Sequence, residues 1–271
     1  MSDDGLLAGW RAEEREQPQG WSFADLAGRM RTDQTPWDFE AECVEALMGA
    51  TRALDMGTGG GETLLALRAA VLGRGADFPE TTATEGWPPN VAVARAALAP
   101  ADIEVVEFGQ PDDDAQPVRM PFSDAAFDLV LNRHEAYHPS EVARVLAPGG
   151  TFLTQQVGGD ELGELHELLG HRPPARHVRF GAFRAELQRV GLEVTAGAEH
   201  VGRYRFDDVA AVVAYLQRVP WSVPDDFGVD RYANELRALQ RRFAGREVAL
   251  TMKRFWLRAE RPAAASAGGI S

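Results

Sequence analysis

The stretch LDMGTGGGE, from Leu54 to Glu62, places four glycines and two carboxylates between an apolar run and a segment with helical periodicity. In an open parallel sheet, the first strand-to-helix turn of this kind usually carries the ligand. A nucleoside triphosphate turn of the GxxxxGK[ST] type needs a lysine, but Lys253 is the only lysine in the chain. A dinucleotide turn of the GxGxxG type would need a third glycine at position 62. A carboxylate and an anionic ligand group about 4 Å apart repel each other by roughly 4 kcal/mol at an effective dielectric near 20. The turn therefore favours a ligand that carries a cation.

S-Adenosylmethionine is such a ligand, because it has an α-ammonium group beside a sulfonium and a thin chain that needs close backbone approach. The stretch LDMGTGGGE resembles motif I of class I S-adenosylmethionine-dependent methyltransferases of the type 11 group. Three more blocks occur in that family's order: TATEGW, MPFSDAAFDLVLN and EVARVLAPGGTFL. The resemblance extends from Arg52 to Val157. It implies that S-adenosylmethionine is the cofactor and that Glu85 binds the ribose hydroxyls. The implied cofactor-binding residues are Asp55, Gly57, Thr58, Gly59, Gly60, Gly61, Glu85, Gly86, Trp87 and Asn132.

The sequence leaves two questions about adenine binding open: which acidic residue meets the adenine amine, and what Trp87 contacts. The family usually has an acidic residue after its third strand, and here the loop FGQPDDDAQPVRMPF is longer than usual. Asp112, Asp113 and Asp114 are equal candidates to meet the adenine amine, and a solvated acidic loop explains each of them as well. Trp87 either covers the adenine ring or packs a helix against the sheet.

Residues His134 to His138 spell HEAYH, which on a helix would place two histidines on one face to bind zinc. Such a site would make the protein a zinc hydrolase. However, the motif directly follows the predicted strand AAFDLVLN, and Pro139 is suited to the first turn of a new helix. We therefore predict a strand-to-helix loop and no metal site.

The same loop, NRHEAYHP, is expected to lie where a methyl donor and its acceptor meet. Holding the acceptor in line with the methyl group can by itself lower the activation barrier by on the order of 7 to 11 kcal/mol. A general base contributes further only if the acceptor carries a proton. His134 and Glu135 are the candidate catalytic residues, with a structural role for His134 as the alternative. Arg133 pairs either with substrate or with nearby carboxylates. The loop lacks the [ND]PP[YF] signature of amino-directed methyltransferases.

The acceptor pocket is expected from the parts of the chain that the cofactor core does not need. Trp37, Tyr215 and Trp221 are candidates, because aromatic side chains suit a small organic acceptor, although most aromatics at helical spacing belong to a core. The alternative function is an RNA base methyltransferase, for which the basic runs HRPPARHVRF and RALQRRFAGR would be the support. Arginines on solvated helix faces explain these runs equally simply.

The alternation of strands and helices predicts an α/β fold, a doubly wound Rossmann-like, mostly parallel sheet of seven strands. We predict a helical N-terminal cap at 1–50, a cofactor-binding core at 51–201 and a helical insertion, or substrate lid, at 202–247. A closing strand at 248–261 and a disordered tail at 262–271 complete the prediction.

Charge and composition limit the partners. The formal net charge of -13 opposes nucleic-acid binding unless a basic face is segregated from it. Cys43 is the single cysteine, so no internal disulfide forms, and no apolar run approaches a membrane span. These features predict a cytoplasmic protein with a small-molecule partner and no membrane partner. The oligomeric state does not follow from the sequence.

Overall fold

The computed structural model describes residues 3–16, 23, 26–110 and 117–263. Its strands are β1 Met30–Thr32, β2 Arg52–Met56, β3 Glu80–Glu85, β4 Glu104–Glu107, β5 Phe127–Arg133, β6 Leu146–Val157, β7 Glu193–Phe206 and β8 Val248–Glu260. Its α-helices are α1 Asp3–Arg15, α2 Phe39–Gly49, α3 Glu62–Gly73, α4 Pro88–Leu98, α5 Pro139–Val145, α6 Gly163–Leu169, α7 Phe180–Arg189, α8 Val209–Leu216 and α9 Ala233–Arg242.

The strands of the described ranges form one sheet in the order β1-β7-β8-β6-β5-β2-β3-β4. The pairs β5–β6, β2–β5, β2–β3 and β3–β4 are parallel, which confirms the predicted α/β fold with a mostly parallel sheet. The predicted count of seven strands was wrong by one. The eighth strand is β1, which pairs antiparallel with β7 through Met30 and Phe206. Three residues are too few to show strand periodicity, and their partner lies far along the chain.

The start of β6 also differs from the prediction. The segment APGG, residues 147–150, is typical of a helix end, and the apolar run after it predicts a strand that starts at Gly150. Instead β6 begins at Leu146, which pairs with Phe127 of β5, and the two glycines after it bond to Arg261, just beyond β8. Gly149 N donates to Arg261 O at 2.8 Å, and Arg261 N donates to Gly150 O at 2.9 Å. A glycine pair that reads locally as a helix end thus becomes strand through a distant hydrogen-bonding partner.

The described chain forms two compact units. Unit 1 contains the residues up to Pro36, Gly158–Val178 and His200–Arg254, and unit 2 contains Trp37–Val157, Arg179–Glu199 and the residues from Phe255 onward. Strands β7 and β8 each have residues in both units. Strand β7 extends to Phe206, which lies in the range predicted as an insertion. The roles predicted for 1–50 as a cap and 202–247 as a lid remain predictions. Residues 264–271 of the predicted tail lie outside the described residues.

Each unit has its own hydrophobic core. In unit 2, helix α2 packs Cys43 and Leu47 with Leu129 and Leu131 of β5. In unit 1, the core surrounds α8, which is buried along its whole length. No helix in the described ranges has both the length and the hydropathy to cross a lipid bilayer.

Candidate active site

The candidate site lies at the carboxyl ends of β2, β3 and β5, three neighbouring parallel strands of unit 2. The register pairs Asp55 with Ala83 and Leu131, and Met56 with Asn132. Glu85 is the last residue of β3. Because carboxyl ends of parallel strands share one edge of the sheet, the fold brings Asp55, Glu85 and Asn132 to the same edge.

The glycine turn between β2 and α3 depends on backbone conformations that glycine adopts without strain. Gly57, Gly59 and Gly61 have φ angles of 67°, 64° and 91°. Thr58 N donates to Thr84 O at 2.8 Å, which anchors the turn to the end of β3. A Cβ added at Gly59 would have no heavy atom within 4 Å, so space is open beside the turn. The Thr58 hydroxyl is buried and has no hydrogen-bond partner among the described residues.

Glu85 fastens this turn to the start of α4. The residue is only 6% exposed, and one carboxylate oxygen accepts a hydrogen bond from Gly59 N at 2.7 Å. The other accepts from Trp87 N at 2.8 Å. Two backbone donors therefore hold the carboxylate at the site, and each oxygen keeps a further lone pair for a ligand hydroxyl. The sequence pointed to Glu85 but not to this bracing role.

Asp55 is a half-buried carboxyl in β2 that is surrounded by protein atoms. Burial raises the pKa of its carboxyl from 3.8 to about 6, and the negative charge of Glu85 adds to the shift. The neighbouring Thr58 hydroxyl, although outside hydrogen-bond geometry, and the Arg133 guanidinium favour the charged form. Arg133 itself pairs with Glu40 of α2 at 3.2 Å. A cationic ligand would place a positive charge beside the Asp55 carboxylate and so stabilise its ionised form.

Gly86 and Gly109 bring the ends of β3 and β4 into direct backbone contact. A Cβ at Gly86 would lie 2.6 Å from the Gly109 Cα. Gly86 was predicted as a cofactor residue, whereas Gly109 was not identified, because a lone glycine after a short strand carries no local signal. Residues 111–116, with Asp112, Asp113 and Asp114, lie outside the described residues.

A buried amide network fixes the loop after β5. Asn132 Oδ1 accepts from Gln156 Nε2 at 2.7 Å and from Thr154 Oγ1 at 3.0 Å, while Asn132 Nδ2 donates to Glu135 O at 3.1 Å. Gln156 Nε2 also reaches Glu135 O at 3.2 Å. The structure thus places Asn132 in a network that positions the loop. Thr154 and Gln156 were missed, although two polar residues on one face of an otherwise apolar strand were a usable signal.

The two candidate catalytic residues occupy different places in this loop. His134 is exposed and has a φ of 64°, and its backbone N donates to Gln155 O at 2.8 Å. The Glu135 side chain lies against the glycine turn: a Cβ at Gly57 would lie 2.6 Å from the Glu135 Cβ and 2.7 Å from its Oε2. Glu135 is therefore placed beside the predicted cofactor turn.

The HEAYH sequence forms the predicted loop. Residues 134–138 are not helical, and α5 begins at Pro139 with His138 as its N-cap. Ser140 N donates to His138 Nδ1 at 3.3 Å, so that ring nitrogen serves the helix end. Within the described ranges, no group of three histidine, cysteine or acidic side chains has a metal-binding arrangement. The helical geometry that the zinc hydrolase alternative requires does not form.

The aromatic candidates for an acceptor pocket have diverse surroundings. Trp37 donates from Nε1 to Gln155 Oε1 at 2.9 Å in unit 2. Tyr215 is 3% exposed and packs against Tyr204 and Phe206 in the core of unit 1, so packing accounts for it. Trp221 is 47% exposed. Trp87, at 41% exposure, is the N-cap of α4.

Comparison with known proteins shows what the segment around this site is similar to. Residues 54–154 match the family model of a methyltransferase domain. The uncharacterized methyltransferase YcgJ of Bacillus subtilis (strain 168) is 32% identical over 139 residues, which are 47% of this chain. The chain spans about half the length of this curated relative, 50% of which is aligned.

Solved structures share the fold at lower identity. The BH2331 protein of Bacillus halodurans C-125 aligns with a TM-score of 0.54 and 20% identity, over 83% of this chain and 99% of that one. A functionally unknown protein of Deinococcus radiodurans R1 aligns with a TM-score of 0.54 and 17% identity, over 96% of this chain and 100% of that one. At these identities the likeness concerns the fold alone. The matched range, 54–154, holds the glycine turn, Glu85 and the loop after β5.

Proposed function

We propose, from the premise that residues 54–154 are a methyltransferase domain, that this chain is an enzyme that transfers a methyl group from S-adenosylmethionine to a small-molecule acceptor. The observation that carries the proposal is the glycine turn held between Asp55 and Glu85 at the carboxyl edge of the sheet. Bound there, S-adenosylmethionine supplies a methyl group activated by its sulfonium.

The residues of the turn fit that cofactor. Gly59 borders open space in which a ligand chain can lie. The buried Thr58 hydroxyl has no hydrogen-bond partner among the described residues and can bond to that ligand. Asp55 provides negative charge for an ammonium group. Glu85, already fixed by two backbone donors, provides lone pairs for ribose hydroxyls.

The charge distribution supports a small acceptor. The net charge is -13, and two of the four arginines in the second basic run are engaged within the protein. Arg237 pairs with Asp3 at 2.9 Å, and Arg246 donates to Arg242 O at 3.0 Å. RNA affinity comes mainly from cationic side chains that neutralise phosphates. The partners of Arg237 and Arg246 leave this run fewer arginines for that role.

The cofactor assignment is tested first with Glu85→Gln. We expect S-adenosylmethionine affinity to fall about ten- to 100-fold, because charge-assisted hydrogen bonds are each worth about 1.5 to 3 kcal/mol. Isothermal titration calorimetry with S-adenosylmethionine and with S-adenosylhomocysteine measures it. Glu104→Gln, at the opposite end of the neighbouring strand β4, is the control and should leave both affinities unchanged. Equal affinity of the wild type and Glu85→Gln would contradict the assignment.

The acceptor class is tested by release of S-adenosylhomocysteine. We expect turnover with a fractionated pool of small metabolites and none with total RNA, and Glu85→Gln should abolish the signal. Methyl label in RNA, with affinity falling steeply with salt, would replace this proposal with the RNA alternative.

His134→Ala is expected to lower turnover about 10²- to 10⁴-fold if the imidazole acts as a base, while S-adenosylmethionine affinity stays within a few fold. The free energy of unfolding should change by less than about 0.5 kcal/mol, because His134 is exposed. An anchor would instead raise KM for the acceptor. His177→Ala, another exposed histidine, is the control. Lost stability with unchanged turnover per folded molecule would show a structural role.

A further inference from the structure

A second concave site exists within unit 1, built from residues that the proposed methyl transfer does not use. It is a cleft of about 480 Å³ beside α6 and the segment that follows it. This volume is within the range of about 300 to 1,000 Å³ that small-molecule sites usually have. Its charged and imidazole lining comes from Asp160, His166, Glu167, His171, Arg172 and Arg176.

His166 supplies an unsatisfied acceptor in the wall of this cleft. The residue is 8% exposed, and its Nε2 has no hydrogen-bond partner among the described residues. The imidazole has a backbone hydrogen bond with Ser222, and because Nε2 has no partner, we assign this bond and the ring proton to Nδ1. Burial, aided by the charge of His171, lowers the pKa of the imidazole to about 4. At neutral pH, Nε2 therefore carries a lone pair that needs a donor.

Close packing that only glycine permits joins Gly159, just before α6, to the segment that follows α6. Any Cβ at Gly159 would collide with the carbonyl oxygen of Ala175, and Gly159 N donates to Val178 O at 2.9 Å. His171 Nε2 lies 3.1 Å from Trp221 O, and its ring meets that of His166 edge to face at a centroid distance of 5.6 Å. These contacts fix the segment that carries His171, one of the residues lining the cleft.

The charges of the lining are mixed and separated. Asp160 is neutralised by Lys253, whose Nζ lies 2.6 Å from its Oδ2. Arg172 and Arg176 contribute two guanidinium groups, and the exposed Glu167 contributes a carboxylate. A ligand that complements this lining has an anionic group for the arginines and a cationic donor for Glu167 and His166 Nε2.

We propose that this cleft binds a small zwitterion of the α-amino acid type, with its carboxylate on Arg172 and Arg176 and its ammonium on Glu167 and His166 Nε2. The assignment rests on unit 1 alone and does not depend on the proposed methyl transfer.

The test uses the full chain without S-adenosylmethionine and the standard amino acids, one at a time, as probes. We expect at least one to raise the Tm, because a ligand that binds only the native state stabilises it. Calorimetry with that amino acid should show about tenfold or greater weakening in Arg172→Ala and in His166→Phe. The matching carboxylic acid without the amino group should bind about tenfold more weakly to the wild type.

Controls separate this site from the cofactor turn. Arg241→Ala, an exposed arginine outside the cleft lining, and Asp55→Asn should both keep the amino acid affinity. A cooperative thermal unfolding transition would show that His166→Phe is folded, and if this transition is lost, the Arg172→Ala variant by itself decides the test. The proposal is overturned if no amino acid binds, if Arg172→Ala binds as the wild type does, if the deaminated acid binds equally, or if only Asp55→Asn loses binding.

Discussion

Asp55→Asn is expected to stabilise the free protein above pH 7 and, at the same time, to weaken S-adenosylmethionine binding. Its folded pKa of about 6 lies above the unfolded value of 3.8, so the folded state holds the proton more tightly. The free energy of unfolding therefore falls as pH rises from about 4 to about 6, by an amount on the order of 3 kcal/mol. An amide does not ionise, so the variant should avoid this loss.

Urea unfolding of both proteins at pH 4.5, 6 and 8 measures the effect. The stability advantage of Asp55→Asn should grow with pH between about 4 and 6 and stay constant above. Wild-type affinity for S-adenosylmethionine should increase over the same interval, because the carboxylate that meets the ammonium forms there, whereas the variant should show a flat profile.

Asp128→Asn is the matched control at the opposite end of the same sheet. The Asp128 carboxylate accepts hydrogen bonds from Thr51 N and Arg52 N, so this variant should lose stability and keep its S-adenosylmethionine affinity. A destabilised Asp55→Asn that binds S-adenosylmethionine as well as the wild type would mean that Asp55 is structural.

Gly57→Ala is expected to be much more damaging than Gly59→Ala, although the two glycines have nearly equal φ angles of 67° and 64°. Left-handed backbone costs an L-residue roughly 1 to 2 kcal/mol, and both variants should lose that much stability. Only at Gly57 does the new Cβ meet the Cβ and Cγ of Glu135, at 2.6 and 2.7 Å. Gly57→Ala must therefore also displace the loop after β5.

Denaturant unfolding should show an additional loss of about 1 to 3 kcal/mol in Gly57→Ala, as expected for overpacking. S-Adenosylmethionine affinity should also fall further than in Gly59→Ala, because the displaced loop borders the turn. Equal stability losses in the two variants would show that Glu135 moves aside freely, and that its position against the turn is unimportant.

Much of this site follows from local sequence. The turn LDMGTGGGE predicts its own geometry, because left-handed φ angles at Gly57 and Gly61 need glycine and the flanking segments have clear periodicities. Pro139 predicts the end of the HEAYH loop, because its ring fixes φ and removes a donor at a helix start. The element order from β2 to α5 depends on the same short-range signals.

Tertiary structure alone decided the features that join distant segments. Strand β1 forms only because β7 offers it an edge, and Gly149 is in a strand because Arg261 bonds to it. The bracing of Gly59 by Glu85 and the position of Glu135 over Gly57 depend on which strands are neighbours. Sequence fixes backbone preferences over a few residues, whereas hydrogen-bond partners, burial and the resulting pKa of Asp55 depend on atoms that only the folded chain brings within a few ångströms.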